Sequence, residues 1–225
     1  MPTFQRARSE EQRELRRRTI LRTVASMLEE MPVHEVSLNE LSRRVGLAKS
    51  NVLRYFESRE AILLELLDSA WNAWVADLPG EFTGEIDPEA GARERAERVA
   101  AVLSGSLARR AVLCDLLSAQ AGVLEHNVSP DVAARYKRAT IAGVARLADL
   151  LRDYLPELGD GAFVLCGRVL MVSGAVWTHN RPAPSMLAAY AADPSLEALR
   201  GNFEESLRET LAALVVGSLA RAGRL

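Results

Sequence analysis

The sequence predicts an all-α protein, and three observations carry that expectation. Apolar residues recur at helical spacing in segment after segment, the breaks between segments are cap and turn residues, and no stretch alternates long enough for a strand. Within that class the pattern divides into an N-terminal helix-turn-helix domain over residues 1–57 and a larger helical domain over residues 58–225, entered through a linker helix.

Leu15, Ile20, Val24, Ala25, Met27 and Leu28 set a first helix over about residues 9–30, with Pro32 as its stop signal. Ser37-Leu-Asn-Glu40 then matches a capping box: the Ser hydroxyl takes the amide of the third helical residue and the Glu reaches back to the cap amide. A short second helix starts there, turns Leu38, Leu41 and Val45 inward, and stops at Gly46. After a Gly-containing turn the pattern restarts at Ala48, and Val52, Tyr55 and Phe56 imply a third helix of about two turns. Ser58 caps a fourth, whose apolar positions Ile62, Leu63, Leu66, Leu67, Ala70, Trp71 and Trp74 run on to Leu78 before Pro79-Gly80 breaks it. Longer helices follow at about 88–108, 109–125, 130–155, 160–179 and 195–221, separated by His126-Asn127 with Ser129-Pro130, by Pro156 with Gly159 and Gly161, and by Asn180-Arg-Pro182-Ala-Pro184.

Composition narrows the setting. Apolar residues make up 48% and charged residues 26% of 225, ordinary for a globular chain, and no uninterrupted apolar run of about 18 residues suggests a membrane span. The first twenty residues lack the apolar stretch of a secretory signal, so the cytoplasm is the expected location. Cys114 and Cys166 sit in apolar segments with no CxxC spacing and no neighbouring His, which favours buried thiols over a zinc site. No metal or cofactor is expected. The formal net charge of -2 hides an asymmetry: residues 1–60 carry 12 Lys and Arg against 9 Asp and Glu, net +3, and the remainder 16 against 21, net -5. The basic half suits a polyanion.

Two short helices joined by a Gly turn present the second rigidly to a DNA major groove. With Val52, Tyr55 and Phe56 turned in, Lys49, Ser50, Leu53 and Arg54 face out. Lys49 can reach guanine acceptors, Ser50 lets the backbone approach and can donate or accept, and Leu53 can sit against a thymine methyl. Arg54, Arg59 and the Tyr55 hydroxyl suit phosphate, which positions without specifying. Amides at the helix start near Ser37 can hold another phosphate, and Arg16, Arg17 and Arg18 add charge beside a flexible arm that can enter the minor groove. The candidate DNA-contact set is Ser37, Arg44, Lys49, Ser50, Asn51, Leu53, Arg54, Tyr55 and Arg59. The plain alternative for its cations is a solvated charged face.

Over about residues 10–70 the sequence resembles the tetracycline-repressor (TetR) family of regulators. The matching blocks are Thr19-Ile-Leu-Arg-Thr-Val-Ala-Ser-Met-Leu28 and Val36-Ser-Leu-Asn-Glu-Leu-Ser-Arg-Arg-Val-Gly-Leu-Ala-Lys-Ser-Asn-Val-Leu-Arg-Tyr-Phe-Glu-Ser-Arg-Glu-Ala-Ile-Leu63. They follow the family's order: helix-one stripe, capped short helix, Gly turn, Lys-bearing recognition helix ending in Tyr-Phe, and Ser-basic-Glu start to the linker helix. The resemblance implies sequence-specific DNA binding, with repression of a pseudo-palindromic operator relieved by a small-molecule effector. It also implies a ligand-binding and dimerisation domain beyond residue 80. Two positions depart from the pattern. Ala48 stands where Ser or Thr usually caps, weakening the cap by ~1 kcal/mol, and Leu53 stands where an aromatic phosphate contact is common.

In the larger domain Trp71, Trp74, Cys114, Phe163, Cys166, Met171 and Trp177 are candidates to line an effector pocket, with ordinary core packing as the alternative for each. Only Arg168 is charged between Ala162 and Thr178, and Phe203, Leu207, Leu211, Leu214, Val215 and Leu219 form one stripe on the last helix. These two helices are the expected homodimer interface. Two other classes compete. An enzyme lacks support, since there is no nucleophile elbow, Gly-rich phosphate loop or clustered metal ligands. A helical module that binds only protein is disfavoured by Lys49, Arg54 and Arg59.

Overall fold

A computed structural model describes the backbone of residues 2–224 and the side chains of residues 10–197 and 200–224. Among the described residues there is no strand, and the helices are α1 (Pro2–Glu30), α2 (Leu38–Val45), α3 (Lys49–Val52), α4 (Arg59–Phe82), α5 (Ala92–Ala108), α6 (Ala111–Ala119), α7 (Pro130–Tyr154), α8 (Gly161–His179), α9 (Pro184–Ala192) and α10 (Phe203–Arg221). They form two compact units: Met1–Leu67 with Ala119–Tyr136, and Asp68–Ser118 with Lys137–Leu225.

The first unit closes on Ile20, Val24, Met27, Leu41, Val52, Phe56 and Ile62, all buried. Its short helices are set by local chemistry. Ser37 Oγ accepts the Glu40 amide at 3.2 Å to start α2, and Gly46 ends it in the left-handed region at φ 69°, where a side chain would be strained. Half of the expected capping box is absent: the Glu40 carboxylate turns to Arg43 and Arg44. α3 is one turn, shorter than the spacing suggests, because the chain tightens into turns at Leu53 to Tyr55, where the Arg54 and Tyr55 amides bond the Asn51 and Val52 carbonyls three residues back; Ala48 supplies no side-chain cap at its start. The segment expected to be a flexible arm is helical from Pro2, its side chains up to residue 9 lying outside the described residues.

In the second unit α10 packs against α5 and α8, placing Leu207, Leu211, Val215 and Leu219 in a core shared with Val99, Leu103, Leu165 and Val169. Three sequence expectations change here. Pro79 does not break the fourth helix, which runs on to Phe82. Phe82 is fully buried and stacks on Tyr154 with ring centroids 4.7 Å apart, so tertiary packing outweighs the lost amide bond in the last turn. The prolines at 182 and 184 introduce a further helix, α9, with Pro184 at its start, where a missing amide costs nothing. The final helix begins at Phe203 instead of about 195, since Asn202 Oδ1 caps the Glu205 amide at 3.1 Å. α8 is long and apolar enough by length and composition to cross a membrane, although the sequence reading found no such span; one face of it is core.

α6 ends in a π turn, Gln120–Leu124, closed by the Glu125 amide on the Gln120 carbonyl at 3.1 Å.

Candidate nucleic-acid interface

The recognition turn is held from behind and bare in front. Val52 and Phe56 are buried, while Lys49, Ser50, Asn51, Leu53 and Arg54 are exposed and Tyr55 is half-buried. One side chain fixes this geometry. Arg17 Nη1 donates to the Tyr55 carbonyl at 2.6 Å, Nη2 pairs with Glu65 at 2.5 Å, and the guanidinium lies 4.2 Å over the Phe56 ring. It thereby ties α1, the end of the recognition segment and α4 together.

The other arginines separate into struts and free cations. Arg44 pairs with Glu30 and Glu40, each at 2.8 Å, which pins α2 to the end of α1. Glu40, facing both Arg43 and Arg44, is held down to about 2 chiefly by hydrogen bonds from those two guanidinium groups. Arg59 donates from Nη1 to the Val36 carbonyl at 2.8 Å and pairs with Glu60, so its guanidinium braces the start of α4 against the strap before α2. Arg18 pairs with Glu14 on the helix surface.

Arg16 and Arg54 instead border an open groove of about 880 Å³ with Arg13, Gln12, Asn51 and Tyr55. Among the described residues no carboxylate lines it. Three guanidinium groups around an acid-free groove, beside an exposed helical turn carrying Lys49 and Ser50, provide phosphate-binding and base-reading chemistry side by side. The sequence reading placed Arg16, Arg17 and Arg18 together; the structure puts one in the groove, one inside and one in a surface pair. Arg13 and Gln12 were missed, although Arg13 lies three residues before Arg16 and so shares its helix face.

In the second unit, Trp71, Trp74, Cys114, Cys166 and Trp177 are buried. Trp74 Nε1 donates to Ser106 Oγ at 2.9 Å and Trp177 Nε1 to Asp115 at 3.3 Å, whereas Trp71 Nε1 has no acceptor and lies against Gly143, where an added Cβ would collide with the indole. Burial pushes both thiols up to about 12, which makes them inert packing groups. Phe163 and Met171 do not join this interior. They are 41% and 64% exposed on the outer side of α8. Most of the α10 stripe expected at the interface, Leu207, Leu211, Val215 and Leu219, is core in one copy, while Phe203 and Leu214 are half-exposed.

Two family profiles cover most of the chain. "Bacterial regulatory proteins, tetR family" matches residues 20–66, and "Tetracyclin repressor-like, C-terminal domain" matches residues 68–222. The HTH-type transcriptional regulator EthR of Mycobacterium tuberculosis is 38% identical over 53 residues, 24% of each chain, so the match spans about a quarter of that relative's length. Similar solved structures include a TetR transcriptional regulator from Rhodococcus sp. RHA1 (13% identity, 90% of this chain and 96% of that one, TM-score 0.54). Another is the regulator FadR of Bacillus subtilis in complex with stearoyl-CoA (13% identity, 88% and 97%, TM-score 0.53). At these identities the structural likeness is one of fold.

Proposed function

From the premise that this chain belongs to the tetracycline-repressor (TetR) family of bacterial regulatory proteins, we propose that it is a repressor whose hold on a pseudo-palindromic operator is released by a small molecule. The chain is a DNA-binding transcriptional regulator. The observation that carries the operator reading is the exposed turn Lys49-Ser50-Asn51, locked from behind by Val52, Phe56 and Arg17 and flanked by the acid-free arginine groove.

In this reading residues 1–57 bind DNA and residues 58–225 bind effector and partner. Lys49, Ser50, Asn51 and Leu53 meet base edges, and Arg54 with the Tyr55 hydroxyl meets phosphate. Arg13 and Arg16 extend the phosphate contacts along α1, and the first amides of α2 beside Ser37 hold one more. Arg44 and Arg59 act mainly by position, since their side chains are committed to Glu30, Glu40, Glu60 and the Val36 carbonyl. The outer face of α8 supplies the homodimer contact, and a two-fold dimer reads two half-sites about 34–36 Å apart or a multiple of that turn. Such a regulator works in the cytoplasm.

The effector is a largely apolar or cationic small molecule taken up by the second unit, with Trp71 and Trp74, which meet edge to face, as the reporters of its binding. α4 is shared by the two units and, at 24 residues and 1.5 Å per residue, is a rod of about 36 Å. A ligand favouring one setting of that rod changes operator affinity by its differential affinity for the two settings. Selection of bound sequences from a random duplex pool tests this reading. Enrichment of an inverted repeat supports it, and failure to enrich any sequence overturns it.

A further inference from the structure

On the recognition turn one aliphatic side chain stands in solvent: Leu53, 39% exposed. Its neighbours Lys49, Ser50 and Arg54 are exposed and polar, so it belongs to no apolar patch that a protein partner would cover. The backbone fixes its place. The Leu53 amide donates to the Lys49 carbonyl at 3.0 Å, the one-turn bond of an α-helix, which sets the two side chains on one face with about 5–6 Å between their Cβ atoms. Asn51, Arg54 and Tyr55 border the arginine groove, whereas Lys49, Ser50 and Leu53 lie outside it. Phosphate chemistry is therefore gathered on one side of the turn, and Lys49 with Leu53 leads on the other. One helical turn apart, these two side chains span one to two base steps at about 3.4 Å per step.

A leucine side chain neither donates nor accepts a hydrogen bond, so it cannot tell the O4 acceptor of thymine from the N4 donor of cytosine. What it can bury in a major groove is the methyl group at C5 of a pyrimidine. Thymine always carries that methyl, and cytosine carries it once C5 is methylated. We propose that Leu53 reads the C5 methyl itself, so that the operator position one or two steps from the guanine met by Lys49 accepts thymine or 5-methylcytosine and disfavours unmethylated cytosine. Operator affinity then responds to cytosine C5 methylation at that position, a form of regulation carried by the DNA and separate from the effector. The inference rests on the reading of the turn as the operator contact and adds the base chemistry to it.

Selection from a random duplex pool with wild type and Leu53→Ala in parallel locates the position. One base per half-site, one or two steps from the guanine that Lys49→Ala releases, should favour thymine in the wild type and lose that preference in the variant. Synthetic duplexes of the selected site then carry two changes of a methyl group alone at that position: uracil for thymine, and 5-methylcytosine for cytosine. Wild type should bind the uracil duplex about fourfold more weakly per half-site than the thymine duplex, and the 5-methylcytosine duplex about fourfold more tightly than the cytosine duplex, as burial of one methyl-sized group requires. Both differences should vanish in Leu53→Ala; if that variant fails to fold, the same swaps at each thymine of the half-site test the wild type alone. A selected site with no thymine that responds, wild-type affinity that ignores either methyl group, or a response that survives in folded Leu53→Ala overturns the proposal and leaves the operator reading in place. Failure of the wild type to enrich any sequence removes the operator reading and this inference with it.

Discussion

Glu57 Oε1 accepts the backbone N–H of Ser129 at 2.6 Å across 72 residues of sequence. The carboxylate follows directly on the recognition segment, and the amide belongs to the turn that starts α7, so the stretch Ala119–Tyr136 is tied into the DNA-binding unit although it is remote in the chain. The Ser129 amide and hydroxyl, aided by the charge of Arg135, hold the Glu57 carboxyl below its ordinary value against a small opposing effect of burial.

A depressed carboxyl stabilises the fold above its ordinary pKa and loses that contribution as pH falls through the lowered folded value. Glu57→Ala is therefore expected to speed hydrogen exchange at Ser129 to Ala133 at neutral pH, by a modest factor because the carboxylate is exposed and solvent screens its charge. Wild type should approach the variant as pH drops below the ordinary carboxylate range, after correction for intrinsic exchange. Equal protection in both proteins at neutral pH would show that the bond does not hold the segment.

Lys49 and Arg54 should separate reading from holding. Lys49→Ala is expected to relax base preference at one position per half-site by about 1–3 kcal/mol. Arg54→Ala, and likewise Arg13→Ala and Arg16→Ala in the groove, should weaken all sequences alike and lower the salt slope by about one ion per half-site. Titrations of operator and scrambled duplex at several salt concentrations distinguish the two behaviours.

Arg17 tests whether a basic residue beside the interface acts on DNA or on the fold. Its guanidinium makes two hydrogen bonds inside the unit, so Arg17→Met should cost about 1.5–3 kcal/mol of stability in thermal or urea unfolding. Operator affinity should fall through the misplaced recognition turn, with base preference unchanged. Full stability with a reduced salt slope would make Arg17 a phosphate contact.

Much of the DNA-binding unit was legible because its determinants are local. Ser37 and Gly46 announce the ends of α2 by cap chemistry and a left-handed turn, and Val52 and Phe56 keep helical register with the core behind them. Phase alone does not single out Arg17: it stands three residues before Ile20, Arg16 four and Arg13 seven, all in helical register with the inward face, and the positions of Tyr55, Phe56 and Glu65 decide that Arg17 is the one tied into the unit. What the pattern does not encode is the partner of an apolar face. Periodicity marks the α10 stripe as buried without saying whether its own chain or another buries it, and here α5 and α8 do so. α9 was hidden because Pro182 and Pro184 read as breakers, and a proline at the first helical position looks the same in sequence as one that ends a helix.

That difference in burial gives opposite outcomes for two apolar positions. Leu211 is fully buried, so Leu211→Ala should cost about 2–5 kcal/mol, and Leu211→Asp should abolish folding of the second unit. Phe163→Asp, on the exposed side of α8, should leave the circular-dichroism spectrum and the monomer's unfolding intact while shifting sedimentation toward monomer. Loss of fold in the Phe163 variant would place that side chain in a core.

The last expectation concerns α4 as the shared element. Ser69 and Ala73 are exposed one turn apart on it, just past the division between the units at Leu67 and Asp68. Glycine at both positions loosens the helix by roughly 1 kcal/mol or less per site without removing a buried side chain. If α4 transmits the effector's influence as a rod, Ser69→Gly with Ala73→Gly should leave operator affinity without effector within about threefold and effector affinity, followed by tryptophan fluorescence, nearly unchanged. The coupling between them, about 1–3 kcal/mol for an allosteric pair of this kind, should shrink toward zero. Ser69→Ala is the matched control: it strengthens the helix and should preserve the full coupling. Should the double-glycine variant release operator on effector binding as completely as wild type, α4 is not the route. The tie between Glu57 and Ser129, which links the same unit to the segment after α6, becomes the next path to cut.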